Sequence, residues 1–312
     1  MSDSPSPLEP AGHDARILGQ EITFQLVAGG LVLLLVVGLL VAIVVRQRRR
    51  APLDAPETND EEGVRWIWFG GLALPLVVLT AVVAWSARSL IELDEASSPV
   101  RTIQVIAHRW WWEVRYPAER ITTANELALP VGQTIRLRLQ TADVIHSFWV
   151  PELGRKADMV PGRTTKLELT ADRPGTYLGE CQEYCGLQHA RMRFRVEAMS
   201  PGDFQAWLGR EGAASAVPDA SDERAGLRVF LDSGCANCHT IGGTPALGQV
   251  GPPLTHIASR ERLAAGTLPN TREQLGAWIS DPQRFKRGAL MPRLALSRPQ
   301  LESLLDYLES LK

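Results

Sequence analysis

The sequence predicts a multi-domain membrane protein with a two-helix transmembrane hairpin, then an all-β Greek-key sandwich, then an all-α domain. Three observations support this prediction. Two long apolar runs lie near the N-terminus, segments of alternating apolar and polar residues follow, and helical apolar periodicity dominates the last third of the chain. At 312 residues, the chain is long enough for two compact domains in addition to two spans.

The two apolar runs have the length of membrane spans. Residues 22–45 form 24 positions without a charge, and residues 66–85 form another 20. At about 1.5 Å per helical residue, each run crosses a hydrocarbon core of roughly 30 Å. A buried helix of a soluble protein is the alternative, and charge-free runs of this length disfavour it. We therefore predict an N-terminal tail at residues 1–21, a first span at 22–45, a connecting loop at 46–65 and a second span at 66–87.

Basic residues beside the spans predict their orientation. Four arginines between residues 46 and 50 follow the first span, and Arg65 precedes the second. Because positive residues remain in the cytoplasm, we expect the connecting loop inside a bacterial plasma membrane. Both termini and everything after about residue 88 are then expected on the periplasmic or extracellular side. The net charge of −2 gives no support for nucleic-acid binding.

Residues 97–199 are predicted to form the sandwich. Four segments alternate apolar with polar residues, as strands with one buried face do, and they are residues 102–106, 134–139, 164–169 and 192–197. Turns that contain proline or glycine separate them. Several short strands within about 100 residues are typical of a Greek-key sandwich.

The segment Cys181-Gln-Glu-Tyr-Cys185-Gly-Leu-Gln-His189-Ala-Arg-Met192 indicates a metal site. It contains two thiols, an imidazole and a thioether. Sulfur ligands suit copper in its lower oxidation state, and imidazole suits both states. Two cysteines four positions apart can bridge one pair of metal ions, and His146 is the candidate for the second histidine. A disulfide is the alternative for exported cysteines, but the histidine and methionine at fixed offsets favour copper.

The segment Cys235-Ala-Asn-Cys238-His239 is a second cofactor motif. C-x-x-C-H attaches haem c through two thioethers, and its histidine reaches the iron. A redox dithiol or half of a zinc site is the alternative, but neither a second cysteine pair nor a βαβ pattern accompanies the motif. Met291 is the only methionine after it and is the predicted sixth ligand, whereas we interpret His256, its competitor, as structural. Since all four cysteines are assigned, we predict no disulfide.

The C-terminal part is predicted to be helical. Residues 200–221 read as a short helix and a flexible linker of small and polar residues that separates the two domains. Residues 222–312 carry helical patterns at 223–233, 271–279 and 298–311.

These motifs and their order closely resemble subunit II of the caa3-type cytochrome c oxidases. The resemblance covers almost the whole chain and implies a two-helix anchor, a cupredoxin domain with a dinuclear copper centre (CuA), and a fused class I cytochrome c domain. It implies that Cys181 and Cys185 are bridging copper ligands and that His146 and His189 are terminal ligands. It also implies that Glu183 binds copper through its backbone carbonyl and that Met192 is a weak ligand. The carboxylate of Glu183 would also bind a magnesium or manganese ion at the border with subunit I.

The resemblance implies that electrons pass from an external donor, a cytochrome c or another carrier, through haem c and CuA to subunit I. There oxygen is reduced to water with proton translocation, and subunit III is a further expected partner. Trp110, the first of three consecutive tryptophans, matches the position where electrons enter the copper site. Since three consecutive side chains cannot share one face of a strand, we expect at least one to be exposed.

Two other functions remain open at this point. One is a subunit of a CuA-containing nitric oxide reductase, and the other is a non-catalytic membrane-tethered electron carrier or copper-delivery protein. One feature departs from the oxidase pattern, because the second span lacks the glutamate that family members often carry near its start. Glu61 and Glu62 lie just outside this span, in the predicted solvated loop.

Overall fold

A computed structural model describes residues 5–49, 60–94, 98–215 and 220–312 of the chain. The chain divides into two compact units. One contains Arg16–Ala96, and the other contains Met1–Ala15 together with Ser97–Lys312.

The first unit is a pair of long helices. Its elements are α1 (His13–Arg49), α2 (Asp60–Trp66), a π-helical segment (Ile67–Ala73) and α3 (Leu74–Asp94). Two helical stretches, His13–Arg49 and Gly63–Asp94, are long and apolar enough to cross a membrane, with 37 and 32 residues. They extend beyond the predicted spans because arginine and glutamine favour helix almost as strongly as leucine does.

The loop predicted over residues 46–65 is therefore helical at both ends. Glu61 is exposed on α2, not in a solvated loop, and residues 50–59 lie outside the described residues. The Glu21 carboxylate joins α1 to α3, since it accepts hydrogen bonds from the hydroxyls of Ser86 (2.5 Å) and Ser89 (3.0 Å). Such polar contacts across apolar helices help to hold a hairpin together.

The sandwich consists of two five-stranded sheets. Its strands are β1 (Arg101–His108), β2 (Trp111–Tyr116), β3 (Ile121–Ala124), β4 (Glu126–Pro130), β5 (Ile135–Thr141), β6 (His146–Trp149), β7 (Ala157–Met159), β8 (Thr165–Leu169), β9 (Gly175–Cys181) and β10 (Arg193–Met199). The orders are β3-β2-β1-β5-β8 and β4-β10-β9-β6-β7, with parallel pairing of β1 with β5 and of β10 with β4. The predicted all-β sandwich is confirmed.

The core between the sheets is aromatic at one end. Trp112 of β2, Phe148 of β6 and Phe194 of β10 are buried, with ring centroids 4.6–5.9 Å apart. The four predicted strands correspond to β1, β5, β8 and β10. The pattern missed β2 because residues 112–114 are all buried, so its sequence does not alternate.

The helical domain follows α4 (Pro201–Glu211), which packs Phe204 and Leu208 inward. Its elements are α5 (Ser221–Asp232), the strands β11 (Arg262–Leu263) and β12 (Leu268–Pro269), α6 (Arg272–Ser280), α7 (Pro282–Phe285) and α8 (Arg298–Ser310). Gly226 lets α5 cross α8 closely, because a Cβ atom there would lie 2.0 Å from the carbonyl oxygen of Ser303. The predicted helical third domain is confirmed.

Sandwich and helical domain pack together within one compact unit. The Arg193 amide donates to the Ala265 carbonyl (3.1 Å), and Arg195 forms an ion pair with Glu261 (2.6 Å). The predicted flexible linker thus connects two domains in direct contact, and residues 216–219 of it lie outside the described residues. The backbone amide of Arg193 and the side chain of Arg195, both on β10, thus find acceptors on the facing domain.

Candidate copper and haem sites

Two neighbouring strands bring the first copper candidates together. In the register of β6 with β9, Phe148 lies opposite Cys181, so His146 at the start of β6 comes close to the last residue of β9. Both side chains are buried. The Nδ1 atom of His146 lies 3.7 Å from the Sγ atom of Cys181.

The loop between β9 and β10 supplies the remaining candidates. Cys185 Sγ lies 3.9 Å from Cys181 Sγ, 3.7 Å from His189 Nδ1 and 3.9 Å from Met192 Sδ. The carbonyl oxygen of Glu183 lies 3.2 Å from Cys181 Sγ. All six residues predicted as copper ligands are thus brought to one end of the sandwich.

These donor atoms fit a metal centre that carries thiolate and imidazole ligands. Two ligands about 2.0–2.3 Å from one tetrahedral ion lie roughly 3.3–3.8 Å from each other. The neighbouring donors described above are 3.2–3.9 Å apart. At 3.9 Å the two sulfur atoms form no disulfide, and both cysteines are free thiols. Sulfur and imidazole together match copper that changes oxidation state.

The two thiols influence each other's pKa. Their mutual hydrogen bond lowers the pKa of Cys181 to about 3 and raises the pKa of Cys185 above its usual value. The first thiolate therefore forms readily, whereas the second needs a compensating positive charge. Coordination to a metal ion provides that charge and deprotonates thiols outright.

Asp143 orients His146, a role that the sequence did not reveal. His146 Nε2–H donates to Asp143 Oδ1 (2.8 Å), which leaves Nδ1 directed at the sulfur atom of Cys181. Asp143 also accepts the backbone amides of Val144 and Arg109, each at 2.7 Å. Burial lowers the pKa of His146, but the hydrogen bonds with Asp143 and Cys181 outweigh burial and raise it overall. A carboxylate that hydrogen-bonds to a ligating histidine fixes the orientation of the ring and its tautomer. The only sequence feature that could have indicated this role is the position of Asp143, three residues before His146.

Trp110 lies against the copper loop. Its indole N–H donates to the carbonyl oxygen of Cys185 (3.0 Å), and its side chain is 8% exposed. Trp112 is fully buried and Trp111 is half-buried against His108, so the expected exposed tryptophan is absent from this cluster. That expectation was wrong because residues of the helical domain cover Trp110.

The haem motif forms one tight turn. Cys235 and Cys238 are half-buried free thiols, and the His239 amide donates to the Cys235 carbonyl (3.0 Å). His239 Nδ1–H donates to the carbonyl oxygen of Pro252 (2.7 Å), which leaves Nε2 as the ring's ligand atom. Burial lowers the pKa of His239, which favours the neutral form that binds a metal. Gly251 makes room for the ring, since a Cβ atom there would lie 2.5 Å from His239 Cε1.

The two candidates for the sixth ligand differ in their surroundings. Met291 is half-buried and packs against the same apolar core as Cys235. His256 is buried, and its two ring nitrogens lie 2.9 Å and 3.2 Å from the carbonyl oxygens of Lys312 and Ala213. These contacts occupy both nitrogens of His256 and favour Met291.

Fold and sites together define a class, the membrane-anchored electron-transfer proteins that combine a copper-binding cupredoxin domain with a c-type cytochrome domain. Residues 117–199 match the family described as the periplasmic domain of cytochrome c oxidase subunit II, and residues 224–312 match the cytochrome c family. The chain belongs to the cytochrome c oxidase subunit II family.

The chain is similar to several known proteins. The chain is 33% identical to cytochrome c oxidase subunit 2 of Alkalihalophilus pseudofirmus over 98% of this chain and 90% of the relative. It is 28% identical to the Bacillus subtilis subunit 2 over 86% and 81% of the two chains. It is also similar to the crystal structure of the periplasmic domain of cytochrome oxidase subunit II from Bradyrhizobium japonicum, with 28% identity, coverage of 37% and 95%, and a TM-score of 0.36.

Proposed function

We propose that this chain receives electrons from an external donor at haem c and passes them through CuA to subunit I of the oxidase. The observation that carries the proposal is the packing of both cofactor sites within one compact unit, with Trp110 contacting both domains. Bound copper and haem supply reversible one-electron redox chemistry, and the protein supplies their binding and orientation.

The residues that would hold copper have complementary roles. Cys181 and Cys185 would bridge two copper ions, and His146 and His189 would each complete one of them. Met192 and the carbonyl oxygen of Glu183 would be the weaker ligands. The fixed distances among these atoms support a preformed site, because a loop anchored between two paired strands resists rearrangement.

The residues that would hold the haem follow the same logic. Cys235 and Cys238 would form the thioethers, His239 Nε2 would bind the iron, and Met291 would be its sixth ligand. The hydrogen bond from His239 Nδ1 to Pro252 fixes the ring plane before haem arrives. Histidine with methionine raises the reduction potential and suits electron transfer.

The same proposal assigns partners and sidedness. Subunit I and subunit III would contact this chain in the membrane, and both cofactor domains would lie on the periplasmic or extracellular side. Arginines in the last turn of α1 support this orientation, since positive residues remain in the cytoplasm.

Oxygen uptake by right-side-out spheroplasts would test both the function and the sidedness. The oxidase complex would be expressed with this chain, and reduced cytochrome c, which does not cross the membrane, would be added outside. We expect rapid cyanide-sensitive oxygen uptake, because the acceptor domain faces the added donor.

The same spheroplasts permeabilised with detergent would serve as the control. Uptake only after permeabilisation would overturn the orientation and keep the function. Turnover of nitric oxide with little oxygen uptake in either sample would overturn the oxidase assignment.

The carboxylate of Glu183 is proposed to bind magnesium or manganese at the border with subunit I, since hard cations favour carboxylate oxygen. Replacing Glu183 by glutamine is expected to lower the manganese content of the purified complex by about tenfold or more. The copper signal should remain, because glutamine keeps the backbone carbonyl that faces Cys181. Unchanged manganese content would contradict this role, and Glu180→Gln on β9 is the matched control.

A further inference from the structure

A buried lysine joins the two cofactor domains. Lys286 follows α7 in the helical domain and is only 3% exposed. Its Nζ atom donates to the carbonyl oxygen of Trp110 in the sandwich (2.7 Å) and to that of Ala264 in its own domain (2.9 Å). The amine therefore bridges the domain boundary at the residue that contacts the copper loop.

Burial of an amine needs compensation. An unpaired amine taken from water loses its hydration, and only hydrogen bonds of good geometry offset that loss. Burial accordingly lowers the pKa of Lys286 to about 7. Two carbonyl oxygens accept its hydrogen bonds, and both acceptors are in place only while the domains remain in contact.

The neighbours of Lys286 reach the copper loop as well. The Arg287 carbonyl accepts a hydrogen bond from Gln188 Nε2 (2.8 Å), and the Phe285 carbonyl accepts one from Arg191. We call residues 285–288 the docking segment. It ends three residues before Met291. A contact that fixes this segment therefore also restricts the position of Met291, the proposed iron ligand.

The docking segment covers Trp110. A Cβ atom at Gly288 would lie 3.4 Å from Trp110 Cη2, and one at Gly186 would lie 3.1 Å from Trp110 Cζ2. The two glycines thus enclose the indole from both domains. With 8% of its surface exposed, Trp110 offers no face to another protein in this arrangement.

We propose that Lys286 is a positioning residue that keeps the helical domain docked over Trp110, so that this chain's own haem domain occupies the position where electrons reach the copper site. The inference rests on the proposed function. It adds the residue that holds the haem domain in this position.

The test is Lys286→Met in the purified full complex, because methionine keeps an apolar stem of similar length and removes the donors. Reduction of the haem by a light pulse, followed by absorption of both centres, gives the rate of electron transfer between them. We expect this rate to fall about tenfold or more, since the variant loses both hydrogen bonds that the amine donates and leaves the Trp110 carbonyl without its Lys286 donor. The absorption and paramagnetic resonance spectra of both centres should remain unchanged.

Hydrogen exchange provides a readout that does not depend on turnover. Amides of residues 285–289 should exchange faster in Lys286→Met, with or without bound copper. Lys166→Met, at an exposed lysine on β8, is the matched control and should leave both the rate and the exchange unchanged.

The outcomes separate the two proposals. An unchanged transfer rate with unchanged exchange in Lys286→Met would overturn the docking role. Absence of transfer in the unaltered complex would overturn the proposed function instead. If Lys286→Met loses a cofactor, Lys286→Gln, which keeps an N–H donor, replaces it. Cofactor loss in both variants would assign Lys286 to folding and also overturn the docking role.

Discussion

Replacing Cys185 by serine is expected to abolish the paramagnetic resonance signal of an electron shared between two copper nuclei, while haem c remains attached. Cys185 Sγ lies within 3.9 Å of the donor atoms of Cys181, His189 and Met192, so its loss removes the centre of the donor set. Mutation of a residue that hydrogen-bonds to a metal ligand typically lowers metal affinity about 10–100-fold. Loss of the ligand Cys185 itself should lower copper affinity by more than that. Copper content per haem and the resonance spectrum measure the effect.

Cys238→Ser is the reciprocal control for Cys185→Ser. It should weaken covalent haem attachment and leave the copper signal intact, because Cys238 belongs to the haem turn and Cys185 to the copper loop. A normal dinuclear signal in Cys185→Ser would refute the assignment of the bridging thiolates.

Replacing Met291 by alanine is expected to convert the haem to high spin and to remove the weak iron–sulfur absorption band completely. The thioether of Met291 is the only methionine sulfur in the helical domain, so alanine leaves one side of the iron without a protein ligand. The reduction potential should fall, because histidine–methionine ligation raises it. Optical spectra and a redox titration of the full complex give both results.

His256→Gln is the matched variant for Met291→Ala. It should keep the absorption band, because His256 contacts the carbonyl oxygens of Lys312 and Ala213. Loss of the band in His256→Gln, together with its survival in Met291→Ala, would make His256 the sixth ligand.

The copper ligands could be proposed from the sequence because five of the six lie in one short segment whose residue types suit only a few metals. Asp143 and Lys286 could not be found in this way. Asp143 acts through a hydrogen bond to His146, and carboxylates three residues from a histidine are common. Lys286 stands among exposed arginines, and only the packing of two domains buries it.

The fold was predictable wherever one face of an element is buried. Alternation identified β1, β5, β8 and β10, and helical periodicity identified α5, α6 and α8. Alternation did not identify β6, where three of four residues are buried, or β7, which has only three residues. The exposure expected for the tryptophans was wrong for a related reason, since a strand pattern does not include a second domain lying over the strand.

The parallel pairing of β10 with β4 has a consequence for the order in which the protein matures. Residues 126–130 pair with residues 195–199, which lie about 70 positions later in the chain. Pairings between such distant segments form slowly during folding. The copper loop lies immediately before β10, and His146 lies on a strand joined to it only through β9. His146 therefore joins the five donors of residues 181–192 only when β6 pairs with β9, so we expect the complete set of six donors only in the folded sandwich. Tight copper binding would then distinguish chains whose sandwich has formed from chains that hold only the local loop donors.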